Sequence, residues 1–105
     1  MKPLVRLEQA DQDIHEAIEY YLREAPERAG DFIDSLEQAY RRIQRHPAAG
    51  SPRYAHELNL PGLRFRPCQG FPYLVFYMEH AERIHIWRVL HGSGDIPAWL
   101  QDGEA

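Results

Sequence analysis

Phe71-Pro-Tyr-Leu-Val-Phe-Tyr-Met78, then Glu79-His-Ala-Glu82, then Arg83-Ile-His-Ile-Trp-Arg-Val-Leu-His91 is the stretch on which the reading of this chain turns. Two runs of strand length, rich in aromatic and β-branched residues and joined by a short polar break, predict a β-hairpin. The first run is apolar at almost every position, as in a central strand with something packed over much of each face. The second interrupts its hydrophobes with Arg88 and two histidines, and a guanidinium in such a strand must reach a carboxylate, an aromatic face or solvent. An ion pair with Asp95 or with an acid of a helix would satisfy it, and so would a bound partner. With His80 and Ala81 at the centre of the turn, Tyr73 falls opposite Arg88 and Val75 opposite Ile86. Tyr73, Val75, Tyr77, Ile84, Ile86 and Arg88 then share one face whose mixed aromatic, aliphatic and cationic character suits an interface.

Upstream of the hairpin, Pro61-Gly62 breaks an irregular piece and residues 63–68 read as a further strand. Earlier still, Ala29, Phe32, Ile33, Leu36, Tyr40 and Ile43 form one helical stripe, and Ile14, Ala17, Ile18, Tyr21, Leu22 and Ala25 form another beginning from about Asp11. Pro26 separates the two and suits a helical first turn, so the helices should fold back as an αα-hairpin. Bases gather at Arg41, Arg42, Arg45 and His46, the end of the second helix that its dipole favours. Pro47-Ala-Ala-Gly-Ser-Pro52 closes the helical half. Residues 4–7 alternate after Pro3 and read as a short edge strand. Residues 96–100 suit a short helical turn capped by Asp95, and 101–105 a frayed tail. The order β-α-α-β-β-β predicts a single α+β domain over residues 1–105, with the helical hairpin on one face of a small, mainly antiparallel sheet and the other face open for docking.

Composition narrows the function. The 105 residues carry a formal net charge of -4, and ten of the sixteen acidic residues lie in the first half. Nucleic-acid binders draw affinity from phosphate neutralisation and show a basic excess that this chain lacks. One cysteine, Cys68, makes no internal disulfide and fits a reducing compartment; the absence of an apolar leader or membrane-length run points to the cytoplasm. His15 is followed four positions later by Glu19 rather than a second histidine, and His80, His85 and His91 lack zinc-site spacing, so neither metal nor cofactor is expected. His91, Ser93 and Asp95 have the residue types of a hydrolase triad, but residues so close along one loop rarely converge in those roles.

Pro47-Ala-Ala-Gly50, Gly62-Leu-Arg64, Phe71-Pro-Tyr-Leu-Val-Phe-Tyr77, Ile84-His-Ile-Trp-Arg-Val-Leu-His91 and Asp95-Ile96 resemble the RelE/ParE toxin superfamily, closest to its ParE branch, over about residues 3–100. The resemblance implies the toxin of a type II toxin–antitoxin module, a binding protein that inhibits DNA gyrase and is held in a hetero-oligomer by a cognate ParD-like antitoxin. Arg64, Arg66 and Arg88 would then meet antitoxin carboxylates, with Tyr73, Tyr77 and His91 as further antitoxin or target contacts. The superfamily's other branch cuts messenger RNA on the ribosome. In that reading His91 and Arg88 are the general acid-base and charge-stabilising groups. A third reading is a non-toxic, toxin-derived module that binds an antitoxin.

Overall fold

Along the chain run β1 (Leu4–Arg6), α1 (Glu8–Glu24), α2 (Ala29–Arg45), α3 (Arg53–Glu57), β2 (Leu63–Pro67), β3 (Tyr73–Glu79), β4 (Ile84–His91) and α4 (Ile96–Asp102), as described for residues 1–102 by a computed structural model. Pro26 opens a single 3-10 turn, Pro26–Arg28, that feeds directly into α2. The strands lie in the order β1-β4-β3-β2, with β1 parallel to β4 and the other neighbours antiparallel. The apolar hairpin therefore occupies the middle of the sheet, as its composition requires.

One face of the sheet carries Val75, Tyr77, Ile84, Ile86 and Val89, packed beneath Ala10, Ala17 and Tyr21 of α1 and Phe32, Leu36, Ala39 and Ile43 of α2. The alanines let the helix backbones approach the sheet closely. The expected stripes are wider than the buried seam: Leu22 is 57% exposed and Ile33 37% exposed, both turned away from the sheet. Helix α1 starts at Glu8, ahead of the expected Asp11, because Leu7 donates its N–H to the Ile86 carbonyl and the chain leaves the strand straight into the helix.

The second face is not open. Leu63, Phe76 and Leu90 pack against Ile96 and Leu100 of α4, with Tyr54 and Ala55 of α3 and Leu58 and Leu60 after it closing the rest. A strand apolar on both sides needs two covers, and here the second is assembled from short, distant pieces. Burying Ile96 and Leu100 is worth roughly 1.5–3 kcal/mol each before ordering entropy, which helps to hold so short a helix. Helix α4 runs through Asp102; the rest of the expected frayed tail, residues 103–105, lies outside the described residues. Among the described residues, no helix is long and apolar enough to cross a membrane.

The hairpin register also departs from the symmetric expectation. Tyr73 pairs with His91, Val75 with Val89 and Phe76 with Arg88, but Tyr77 pairs with Ile86, so β4 carries an extra residue at Trp87. This bulge changes which side chains share a face. Tyr73, Val75, Tyr77, Ile84 and Ile86 do lie together, but on the helix-covered side, and Arg88 is not among them.

Candidate functional site

Helix α1 flanks the part of β4 that β1 does not reach, because β1 ends opposite Ile86. At that place the bulge releases Arg88. Its Nε and Nη2 donate to the two carboxylate oxygens of Asp13 at 2.7 and 2.9 Å, and its Nη1 donates to the Trp99 carbonyl at 2.7 Å. Asp13 also accepts the Val89 N–H at 3.0 Å, satisfying a strand-edge donor. Both side chains are nearly buried, at 13% and 10% exposure. Arg88 thus ties α1, the edge of β4 and α4 together in a bidentate, charge-assisted geometry. It faces Asp13, not Tyr73 or Asp95.

Tyr77 is fully buried, which corrects its expected role as a surface contact. Its hydroxyl donates to the Pro47 carbonyl at 2.7 Å and accepts the Gly50 N–H at 3.1 Å. A Cβ on Gly50 would run into the Tyr77 ring and hydroxyl, so this position admits only glycine without movement. Arg64 and Arg66 stand opposite Tyr77 and Val75 in the register and so share the helix-covered side. Arg64 donates to the Gly50 carbonyl at 2.8 Å, whereas the buried Nε of Arg66 has no hydrogen-bond partner among the described residues. The three arginines are therefore scattered: Arg88 is held by Asp13 and the Trp99 carbonyl, Arg64 by the Gly50 carbonyl, and Arg66 lies two residues further along β2.

Tyr73 and His91 do come together, with ring centroids 5.2 Å apart. They form the floor of a cleft between α1 and α4. One part, of about 400 Å³, lies beside Arg88, Asp13 and Glu16, and an adjoining part, of about 580 Å³, runs toward Tyr21, Glu24 and Arg28. Tyr20 and Trp99 line both and expose 47% and 37% of their surface. Trp99 can lie so low because Gly94 has no Cβ for its indole to meet. Asp95 caps α4, its Oδ1 accepting the Ala98 N–H at 3.3 Å.

His91 has a defined tautomer. The backbone N–H of Ser93 can only donate, and it lies 3.1 Å from His91 Nδ1, with the Ser93 hydroxyl at 2.7 Å from the same atom. Nδ1 is then the unprotonated acceptor and the neutral ring carries its hydrogen on Nε2. The nitrogen with a free lone pair is already engaged by its own loop. This is a poor arrangement for a general base acting on a bound substrate. No cluster of three or more metal-ligating side chains occurs among the described residues.

Asp13, Tyr20 and Trp99 were not singled out by the sequence. Asp13 adjoins the buried α1 positions Ala10 and Ala17, three and four residues away along the helix, which puts it beside the sheet. That signal was present. Tyr20 and Trp99 carried none that distinguishes a cleft aromatic from a core one.

Residues 4–96 match the family model described as ParE toxin of type II toxin–antitoxin system, parDE. Among solved structures, a chain from the chromosomal ParDE TA system of P. aeruginosa is similar, with a TM-score of 0.71 and 20% identity over 87% of this chain and 96% of that one. At that identity the likeness concerns the fold. No curated protein matches significantly.

Proposed function

Since the chain belongs to the ParE toxin family of type II toxin–antitoxin systems, we propose that it acts as a single toxin domain that binds and inhibits DNA gyrase and is neutralised by a cognate ParD-like antitoxin. The observation that carries the choice of a binding mechanism is the state of the two residues on which messenger RNA cleavage would depend. Arg88 is fastened to Asp13 and the Trp99 carbonyl, and His91 Nδ1 is occupied by Ser93. Cleavage needs a placed base and a cation aimed at the developing charge. What the surface offers instead is recognition chemistry: the exposed aromatics Tyr20 and Trp99 beside Tyr73 and His91, rimmed by Glu16 and Glu24.

Purified protein tests this directly. The expected result is inhibition of gyrase supercoiling with ribosome-bound mRNA left intact. Codon-dependent mRNA cuts that disappear in His91→Ala would overturn the reading.

A further inference from the structure

His80 and His85 have no zinc-site spacing along the chain, yet the hairpin turn folds one onto the other. The His80 N–H donates to the Arg83 carbonyl at 2.8 Å, closing the turn, and His85 stands opposite Met78 in the register. Alternation sends Met78 and His85 to the face away from α1 and α2. The two imidazoles meet there with ring centroids 4.4 Å apart and planes inclined at 53°. Lys2 Nζ donates to the His80 carbonyl at 2.8 Å and to Glu79 at 2.7 Å, so the backbone beneath the pair is tied down from the N-terminal side as well.

Both rings keep their nitrogens. Among the described residues no hydrogen bond or ion pair reaches either ring, whereas His91 Nδ1 is taken by Ser93 and His15 Nε2 lies 2.9 Å from Glu19. Burial, then the neighbouring His80 and Arg83, hold the His85 pKa below its ordinary value, and a neutral imidazole is the form that binds metal. The pair sits at the start of β4, at the opposite end of that strand from the Tyr73–His91 cleft.

The separation of the rings bears on the ion they suit. Metal–nitrogen bonds to histidine run to about 2.0–2.1 Å, and with bonds of that length two imidazoles on one ion have ring centres about 4.5 Å apart when the bonds meet at a right angle and about 5.2 Å apart at the tetrahedral angle. The observed 4.4 Å matches the right angle, the tetragonal preference of Cu2+ and Ni2+ and not the tetrahedral one of Zn2+. We propose that His80 and His85 together bind one divalent transition-metal ion, Cu2+ most tightly, then Ni2+, then Zn2+, each imidazole giving one nitrogen to adjacent positions of a tetragonal site that water completes. Met78 does not join them: a Cβ on Gly62 would lie 3.6 Å from its Cγ and 4.0 Å from its Sδ, so the side chain leans toward β2. No third metal-ligating side chain stands with the pair among the described residues. The bound ion clamps the closed end of the hairpin.

Tag-free, metal-stripped protein titrated separately with Cu2+, Ni2+ and Zn2+ chlorides tests this. One equivalent of Cu2+ should bind with the electron paramagnetic resonance signal of a tetragonal ion carrying two nitrogen ligands, and Ni2+ should broaden the amide resonances around residues 80 and 85 before any others. His80→Asn and His85→Asn should each weaken Cu2+ binding by about tenfold or more, since each leaves a single imidazole, whereas His15→Asn, which removes the imidazole beside Glu19, should leave it unchanged. His80 is exposed at the turn and its substitution keeps the backbone N–H, so that variant carries the test even where His85→Asn fails to fold. Broadening centred on another histidine, Cu2+ affinity that survives His80→Asn, or the absence of a saturable equivalent overturns the site. Zn2+ bound more tightly than Ni2+ would overturn the right-angle geometry on which the choice of ion stands.

Discussion

Tyr77, fully buried, and Tyr40, half-buried with its oxygen covered, lie on the same side of one sheet, and their hydroxyls have different fates. That of Tyr77 is held between the Pro47 carbonyl and the Gly50 N–H, next to a strand edge that Ser51 and Leu60 have closed. That of Tyr40 makes no well-formed hydrogen bond among the described residues, with the Arg6 side chain in weak contact, beside an edge whose Leu4 and Arg6 backbone groups are unpaired. An unsatisfied buried polar group is costly, so the finished side should carry more of the stability than the unfinished one. Asp13 and Arg88 belong with the finished side: carboxylate and guanidinium satisfy each other and the backbone around them.

If that division is right, the largest loss should come from the finished side. Arg88→Ala strands the nearly buried Asp13 carboxylate and releases α4, and removing one member of such a pair costs roughly 3–5 kcal/mol. Asp13→Asn, which keeps an acceptor for Val89 N–H, should cost less. Urea unfolding measures both; a loss below about 1 kcal/mol for Arg88→Ala would show that the pair behaves as a surface bridge and would break the comparison.

Gly50→Ala should come next. The new Cβ meets the Tyr77 ring, and overpacking of this kind costs about 1–3 kcal/mol. Tyr77→Phe removes the oxygen closest to that Cβ, so the double variant should lose less than the sum of the two single ones. Strict additivity in thermal melts would mean that the ring and the loop 47–50 do not contact as described.

Much of this division was legible before any coordinates. The hairpin, the two helices, the edge position of β1 and the Asp95 cap follow from periodicity and turn chemistry. A guanidinium in an apolar strand calls for a partner, but the sequence leaves Asp95, a helix acid and a bound protein open, and it is the structure that supplies Asp13. The register did not follow, because alternation fixes parity only as long as no residue is inserted, and the bulge at Trp87 inserts one. The expected open face failed for another reason. Its cover is five residues of α3 among prolines and glycines plus the short α4, and neither is long enough to show a helical period. As for the candidate site, Tyr73 and His91 were placed together only by the corrected register, Tyr77 was lost to the core, and the poorly bonded Tyr40 hydroxyl looked like one more member of an apolar stripe.

The smallest effect on the free protein, and the one that sharpens the comparison most, belongs to Tyr40→Phe. Removing a buried hydroxyl whose one polar contact is a weak one with the Arg6 side chain relieves a desolvation penalty and gives up little, so stability should stay level or rise by up to about 1 kcal/mol, opposite in sign to Tyr77→Phe. Alkaline pH gives an independent readout. Burial pushes the Tyr40 phenol up from 10.0 to about 12, with the charge of Arg6 and its side-chain hydrogen bond opposing the shift. Between those values the unfolded chain releases this proton while the folded one keeps it. The unfolded state then binds fewer protons, and the stability attributable to Tyr40 falls as pH rises from 10 toward 12. The difference in stability between Tyr40→Phe and wild type should therefore widen in favour of the variant across that window, whatever the other tyrosines contribute to both. A difference that stays flat with pH would mean that the hydroxyl is already solvated or bonded in the free toxin, and that the β1 side is as finished as the rest.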